Sequence, residues 1–193
     1  MTVASGAVAW WILVGGVLPL WFLAGFFDYL CHRASDIEHA NGVRETALHW
    51  LMFAEVGVPM LAAVFLKVNA LLLLFMAACW VAHEVTTHFD LRLAIATRHV
   101  SAFEQQVHSF LEMLPLVALL LLVLIHWDEA GALLGLGAAS ADFSVSLKPL
   151  PSAPELICLF AAIFLLGIVP YADEFLRGLR ALRASHGAPR IRI

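Results

Sequence analysis

The run MTVASGAVAWWILVGGVLPLWFLAGFFDYLCHR, residues 1–33, decides the fold. Met1 to Phe27 carries no charged side chain, and the first ionisable group is Asp28, with His32 four residues on. A hydrocarbon core about 30 Å thick is crossed by roughly 20 apolar helical residues. The run therefore reads as a transmembrane helix that ends in an acid-x-x-x-His pair. It lacks the basic segment that precedes the apolar part of a cleavable leader.

The rest of the chain repeats this theme. Of 193 residues, 62% are hydrophobic and 13% charged, which excludes an ordinary soluble domain; the length suits one domain. Five spans are expected, at about 6–33, 43–66, 69–92, 99–127 and 155–183. Asn41-Gly42 reads as a helix start, and Lys67-Val68-Asn69 as a short turn. The expected class is an all-α polytopic membrane protein, one transmembrane domain over 1–193. Four of its five helices would form a bundle around a metal site near the cytoplasmic face. Residues 128–154 form an outer-side loop or surface cap, and 184–193 a basic tail. The arginines at 177, 180 and 183, interleaved with Leu176, Leu179 and Leu182, suit anionic headgroups.

Net charge is −4, but its distribution says more. With five spans, one side receives Arg33, Arg44, Arg92, Arg98, Arg177, Arg180, Arg183, Arg190 and Arg192. The other receives Lys67 and Lys148. The positive-inside rule then puts the N-terminus outside and the C-terminus in the cytoplasm. A bacterial inner membrane is the expected location. Cys31, Cys79 and Cys158 all fall in apolar stretches and provide no disulfide framework; Cys79 reads as packing.

Four spans carry the same pair: Asp28…His32, Glu45…His49, Glu84…His88 and Glu104…His108. Positions i and i+4 lie about 40° apart on a helix, so each pair forms one stripe. Because chain direction alternates, Asp28, His49, Glu84 and His108 form an expected deep layer. His32, Glu45, His88 and Glu104 form a shallow one about 6 Å away. Eight such donors are enough for two metal ions. A single interfacial acid and its His need no such explanation, but four pairs at one depth do. Ionisable groups in a span cost at least ~2.5 kcal/mol each at the helix centre, and clustered carboxylates cannot all ionise unaided.

Other residues border this set. His83 points about 100° from Glu84, toward a neighbouring helix or a second metal. Glu112, a further i+4 step from His108, could ligate, bridge or relay protons, and Asp90 shares the His83 face as an outer acceptor. Ser101-Ala-Phe-Glu104 also fits a capping box, a rival role for Glu104. Glu55 falls off the His49 face and pairs elsewhere in the bundle. His99 reads evenly as ligand or interfacial residue, His126 as interfacial, and Asp36, Glu38, His39 and His186 as solvated.

Carboxylate and imidazole ligation without thiolate suits iron, manganese or zinc. The four stripes resemble, in donor type and architecture, the membrane-bound carboxylate/histidine dimetal (diiron-type) helical-bundle proteins. The resemblance covers residues 28–112. The chain departs from that pattern in using i+4 rather than i+3 spacing and a His on every helix, and His-x-x-His-His boxes are absent. His83-Glu84-x-x-x-His88 is not a zincin motif either. What the resemblance implies is two metal ions, most readily iron, in a non-haem oxidoreductase. Its substrate would be lipid-like or quinone-like, reached from membrane lipid, with an electron donor and no nucleic acid. A zinc-dependent hydrolase, with Glu84 or Glu112 as base, and a haem-binding or metal-transport protein are the alternatives. Oligomeric state is open.

Overall fold

The computed structural model describes residues 3–40, 42–136 and 140–187. Asn41, Arg190, Arg192 and most of the basic tail lie outside the described residues. The described chain is all-helical, and five helices are long and apolar enough to cross a membrane. They are α1 (Gly6–Ala34), α2 (Gly42–Phe65), α3 (Ala70–Thr97), α4 (Ala102–Ile125) and, after the short α5 (Trp127–Leu133), α6 (Ala153–Ser185). The expected spans differ from these mainly at α3, which runs five residues further, to Thr97. Its last turn is stabilised by the Thr97 hydroxyl on Leu93 O, and Ala94 is fully buried there.

Side-chain chemistry sets the helix ends. Asn69 Oδ1 accepts from Leu72 N and starts α3, while Ser101 Oγ accepts from Glu104 N and starts α4. Ser152 and Glu155 close a full capping box on α6. Widened π-turns interrupt α1 at Leu13–Val17 and α6 at Ile163–Ile168. Each precedes a proline, Pro19 and Pro170. A helical proline lacks its N–H and crowds the carbonyl four residues back, and the widened turn relieves that clash.

The spans close into a ring in the order α1, α4, α3, α2, α6, with α6 returning to α1. Large apolar side chains such as Trp11, Phe89 and Ile157 face outward, as lipid requires. Inside, the two halves of the ring differ. Toward the α2–α3 turn the core is apolar, built on Leu13, Val17, Trp21, Leu114 and Ile163, with a second cluster around Leu72, Leu73 and Met76. Toward the arginine-rich end the buried residues include Asp28, His32, Glu45, Thr46, His49, Asp90, Glu104 and Glu174, beside a few apolar ones such as Ile37 and Ala94.

The connection before α6 is a strap. Lys67 N donates to Ser146 O, Lys148 N to Phe65 O, and Asn69 Nδ2 to Ser144 O. Glu129 Oε2 takes the amides of Ala70 and Asp142. The strap thus ties the α2–α3 turn to the α4–α6 connection through backbone groups.

α6 is held close to α2 near the polar end. A Cβ on Gly178 would stand 3.1 Å from Val43 N and 3.3 Å from Gly42 C. Neither backbone atom can yield without moving a helix. Gly178→Val is expected to destabilise the protein by about 1–3 kcal/mol, measured by unfolding in detergent. Unchanged stability would mean that the two helices do not approach this closely.

Candidate metal centre

Four elements of the ring deliver donors to one point. The ligand atoms of Asp28 and His32 from α1, and of Glu104 and His108 from α4, all lie within 4.8 Å of one another. His108 Nε2 is 2.9 Å from Asp28 Oδ1. His32 Nε2 is 3.6 Å from the same oxygen and 3.5 Å from Glu104 Oε1. A second group, His32 with Glu45 and His49 of α2, meets the same spacing. His49 Nε2 also lies 3.4 Å from Asp90 Oδ1 of α3. The rings of His32 and His49 stack at 4.7 Å and 7°, so the two expected layers interlock instead of standing apart.

These contacts do not behave as a finished hydrogen-bond network. His32 Nε2, Glu45 Oε2 and Asp90 Oδ1 are buried without a hydrogen-bond partner, while Asp28 Oδ1 and Glu104 Oε1 are met only by ion-pair contacts, from His108 and Arg98 respectively. Leaving such atoms unpaired is costly. Several face one another at distances that suit separate bonds to a shared cation. The buried His, Asp and Glu groups could hold a metal ion.

The imidazoles are oriented from behind by α6. Glu174, 1% exposed, places Oε2 3.0 Å from His32 Nδ1 and Oε1 3.0 Å from His49 Nδ1. The Thr46 hydroxyl donates to the same Oε1 at 2.9 Å and also lies 2.6 Å from Gly42 O. A carboxylate accepting at Nδ1 fixes the tautomer, so both Nε2 lone pairs point into the cluster. One carboxylate thus serves two histidines on different helices.

Arg98 closes the arginine-rich end. α3 stops at Thr97, and Arg98 is extended (φ −150°, ψ 169°), which turns its side chain back inward. Its Nη2 is 2.7 Å from Glu45 Oε1, its Nε 3.0 Å from the same oxygen, and it also pairs with Glu104. Burial alone would lower the guanidinium pKa. The Glu104 and Glu45 carboxylates outweigh that and raise it above the ordinary value.

Of the residues singled out from sequence, Asp28, His32, Glu45, His49, Glu104 and His108 are brought together. Glu104 fills both suggested roles in part. Its amide is capped by Ser101, while its carboxylate enters the cluster instead of returning to the Ser101 amide. On α3 the expected stripe is displaced. His88 is exposed, and Glu84 is half-buried on a neighbouring face. The inward face is His83, Thr86, Asp90 and Ala94. Thr86 Oγ1 donates to Glu55 Oε1 at 2.9 Å, and a small residue at 94 admits a neighbouring helix. Packing of α3 against α2 therefore selects the stripe one residue away from the acid/His pair. Asp90, expected as an outer acceptor, stands directly opposite His49.

A cavity of about 70 Å³ adjoins the cluster, lined by Asp28, His49, His83, Asp90, His108 and Glu112 among others. His83 has no hydrogen-bond partner at either ring nitrogen, and its Nδ1 is 4.0 Å from Glu55 Oε2. His99 and His39 are exposed, and His126 lies at the strap end. Asp36, Glu38 and His39 form a separate group in the α1–α2 connection, at the surface.

Glu174 and Arg98 are the participants that pattern reading missed. Glu174 has no His four residues away and falls outside the acid/His template. The signal was its cost: Asp173 and Glu174 are adjacent acids at the end of an apolar span, at the depth of the other carboxylates. Arg98 had been counted only for topology. Comparison with protein-family models, with curated proteins and with solved structures gives no match.

Removing Glu174 tests the arrangement. Glu174→Ala is expected to weaken metal binding about 10–100-fold in a chelator competition, while Glu84→Ala and His88→Ala bind as wild type. Equal loss in all three would mean that the cluster is not where the metal binds.

Proposed function

We propose that the protein is a membrane-embedded, non-haem dimetal oxidoreductase, with iron as the metal pair and a lipid-like or quinone-like substrate. The observation that carries this is charge. The buried acids Asp28, Glu45, Asp90, Glu104 and Glu174 face one buried guanidinium, Arg98. With neutral imidazoles, four negative charges stay uncompensated in a low-dielectric interior, a state that ionic groups do not tolerate. Two divalent cations balance it, and the donor set, oxygen and imidazole without thiolate, suits iron or manganese and admits zinc.

In this reading Asp28, His32, Glu104 and His108 hold one ion, and His49, Asp90 and Glu45 hold the other. A bound iron pair supplies one-electron redox chemistry toward dioxygen. The chain's own residues do the rest. Glu174 keeps both Nε2 atoms available. Arg98 shields Glu45 and Glu104 from water at the arginine-rich end. Glu112, in the cavity wall but not among the cluster's close contacts, is the proton relay of this reading. Phe53, Tyr171 and Trp21 provide an apolar lining that excludes water. The positive-inside rule places this end of the ring toward the cytoplasm, where a soluble electron donor reaches it.

Elemental analysis of detergent-purified protein, with an optical spectrum of the same sample, tests the proposal. Two irons per chain and no Soret band are expected, followed by oxygen consumption that is lost in Asp28→Ala and His32→Ala. Zinc alone would move the assignment to metal-assisted hydrolysis. Folded protein with less than one metal per chain would overturn the reading and leave protonated imidazoles as the charge balance.

A further inference from the structure

A second cavity, of about 180 Å³, occupies the apolar half of the ring. Along α4 its wall runs from Leu114 to Leu122, and His126 closes it at the strap. At 1.5 Å per residue that is about 12–18 Å, close to the depth of one leaflet of a roughly 30 Å hydrocarbon core. The wall is apolar along this length. Its inner end is Trp21, which also lines the cavity beside the candidate metal centre. Glu55 is there too, but its carboxylate is engaged by Thr86 and faces His83.

The outer end differs in charge. Lys148 and His126 both line it. The Lys148 backbone N–H is held by Phe65 O, so the strap fixes the residue at the mouth. Among the described residues its ammonium has no carboxylate in salt-bridge range. Burial lowers the Lys148 pKa, with no acidic group opposing that. His126 is lowered by burial and by Lys148 itself. The nearby Glu129 is occupied by two backbone amides. A half-buried cation without a counter-ion, above an apolar slot one leaflet deep, complements an anionic headgroup with one chain below it.

We infer that this cavity binds a single-chain fatty acid of medium length, its carboxylate at Lys148 and His126 and its methyl end against Trp21. One lysine at its mouth favours one anionic group, and a volume of about 180 Å³ favours one chain over two. As a statement about binding, the inference stands alone. As a statement about substrate, it rests on the dimetal reading. It then means that the chain is presented tail-first, because Trp21 is the wall shared with the cavity of the metal centre.

The test uses the full chain in nanodiscs of zwitterionic lipid, with doxyl-labelled dodecanoate as the probe and electron paramagnetic resonance as the readout. A saturable, immobilised component is expected. Lys148→Glu should weaken it at least tenfold, and Ala118→Trp, which fills the slot, should abolish it. Metal content should be unchanged in both. Ala63→Phe replaces Ala118→Trp if that variant fails to fold. Wild-type binding by Lys148→Glu, or equal competition by dodecanol, would overturn the headgroup assignment. Wild-type binding by the filled variant would overturn the cavity. Equal displacement by a diacyl phosphatidylglycerol would show a bilayer lipid in place of a free fatty acid. Glu174→Ala separates the two readings: dodecanoate binding retained in a metal-depleted variant upholds the cavity even if the oxidoreductase assignment fails.

Discussion

The structure depends on one constraint: among the described residues, five carboxylates are buried at one end of a helical ring, facing one guanidinium and three imidazoles. In hydrocarbon, no solvent is available to screen those charges. The chain must surround the acids with protein on every side, which is why the spans form a closed ring. An open arrangement would expose an acid to lipid, at a cost no single hydrogen bond of about 1 kcal/mol offsets. The apolar half of the ring carries no such burden and packs with ordinary aliphatic and aromatic side chains.

Glu174 shows how closure and chemistry coincide. α6 approaches α2 through Gly178, where a Cβ would crowd the Val43 backbone at 3.1 Å. That approach brings Glu174 between His32 of α1 and His49 of α2, helices that lie on either side of α6 in the ring. Without α6 both imidazoles could rotate, and their Nδ1 atoms would have no acceptor. The fifth span is thus part of the centre as well as its wall.

The spans and their number were legible because a membrane imposes a length and an apolar composition that few other contexts reproduce. The cluster was legible on α1, α2 and α4, where the acid/His stripe is also the buried stripe. On α3 the pattern was ambiguous, because two adjacent faces both carry ionisable groups, His83 and Asp90 on one and Glu84 and His88 on the other. Periodicity could not say whether Glu84 or His83 faced inward, because lipid solvates Val81, Val85 and Phe89 as readily as a core would. What decided the rotation was the Thr86 hydroxyl reaching Glu55, a contact between spans that no local pattern contains. Arg98 escaped for a related reason. A terminal arginine is expected to reach outward to headgroups, and only the extended backbone after Thr97 directs it inward.

The boundary between the polar and apolar halves has its own logic. Trp21 lies there, stacked on Phe53 at 6.2 Å, and touches both cavities. Glu55 and His83 lie at the same level on α2 and α3, facing each other at 4.0 Å without a hydrogen bond. A purely apolar septum would isolate the two compartments, and a fully bonded polar one would lock them. Here an aromatic wall stands beside a carboxylate bonded at one oxygen only and an imidazole without a hydrogen-bond partner. The π-turns of α1 and α6 lie on the apolar side of this level, where a proline has already weakened the helix. Compliance is therefore placed next to the septum and away from the charged cluster, whose geometry tolerates the least movement.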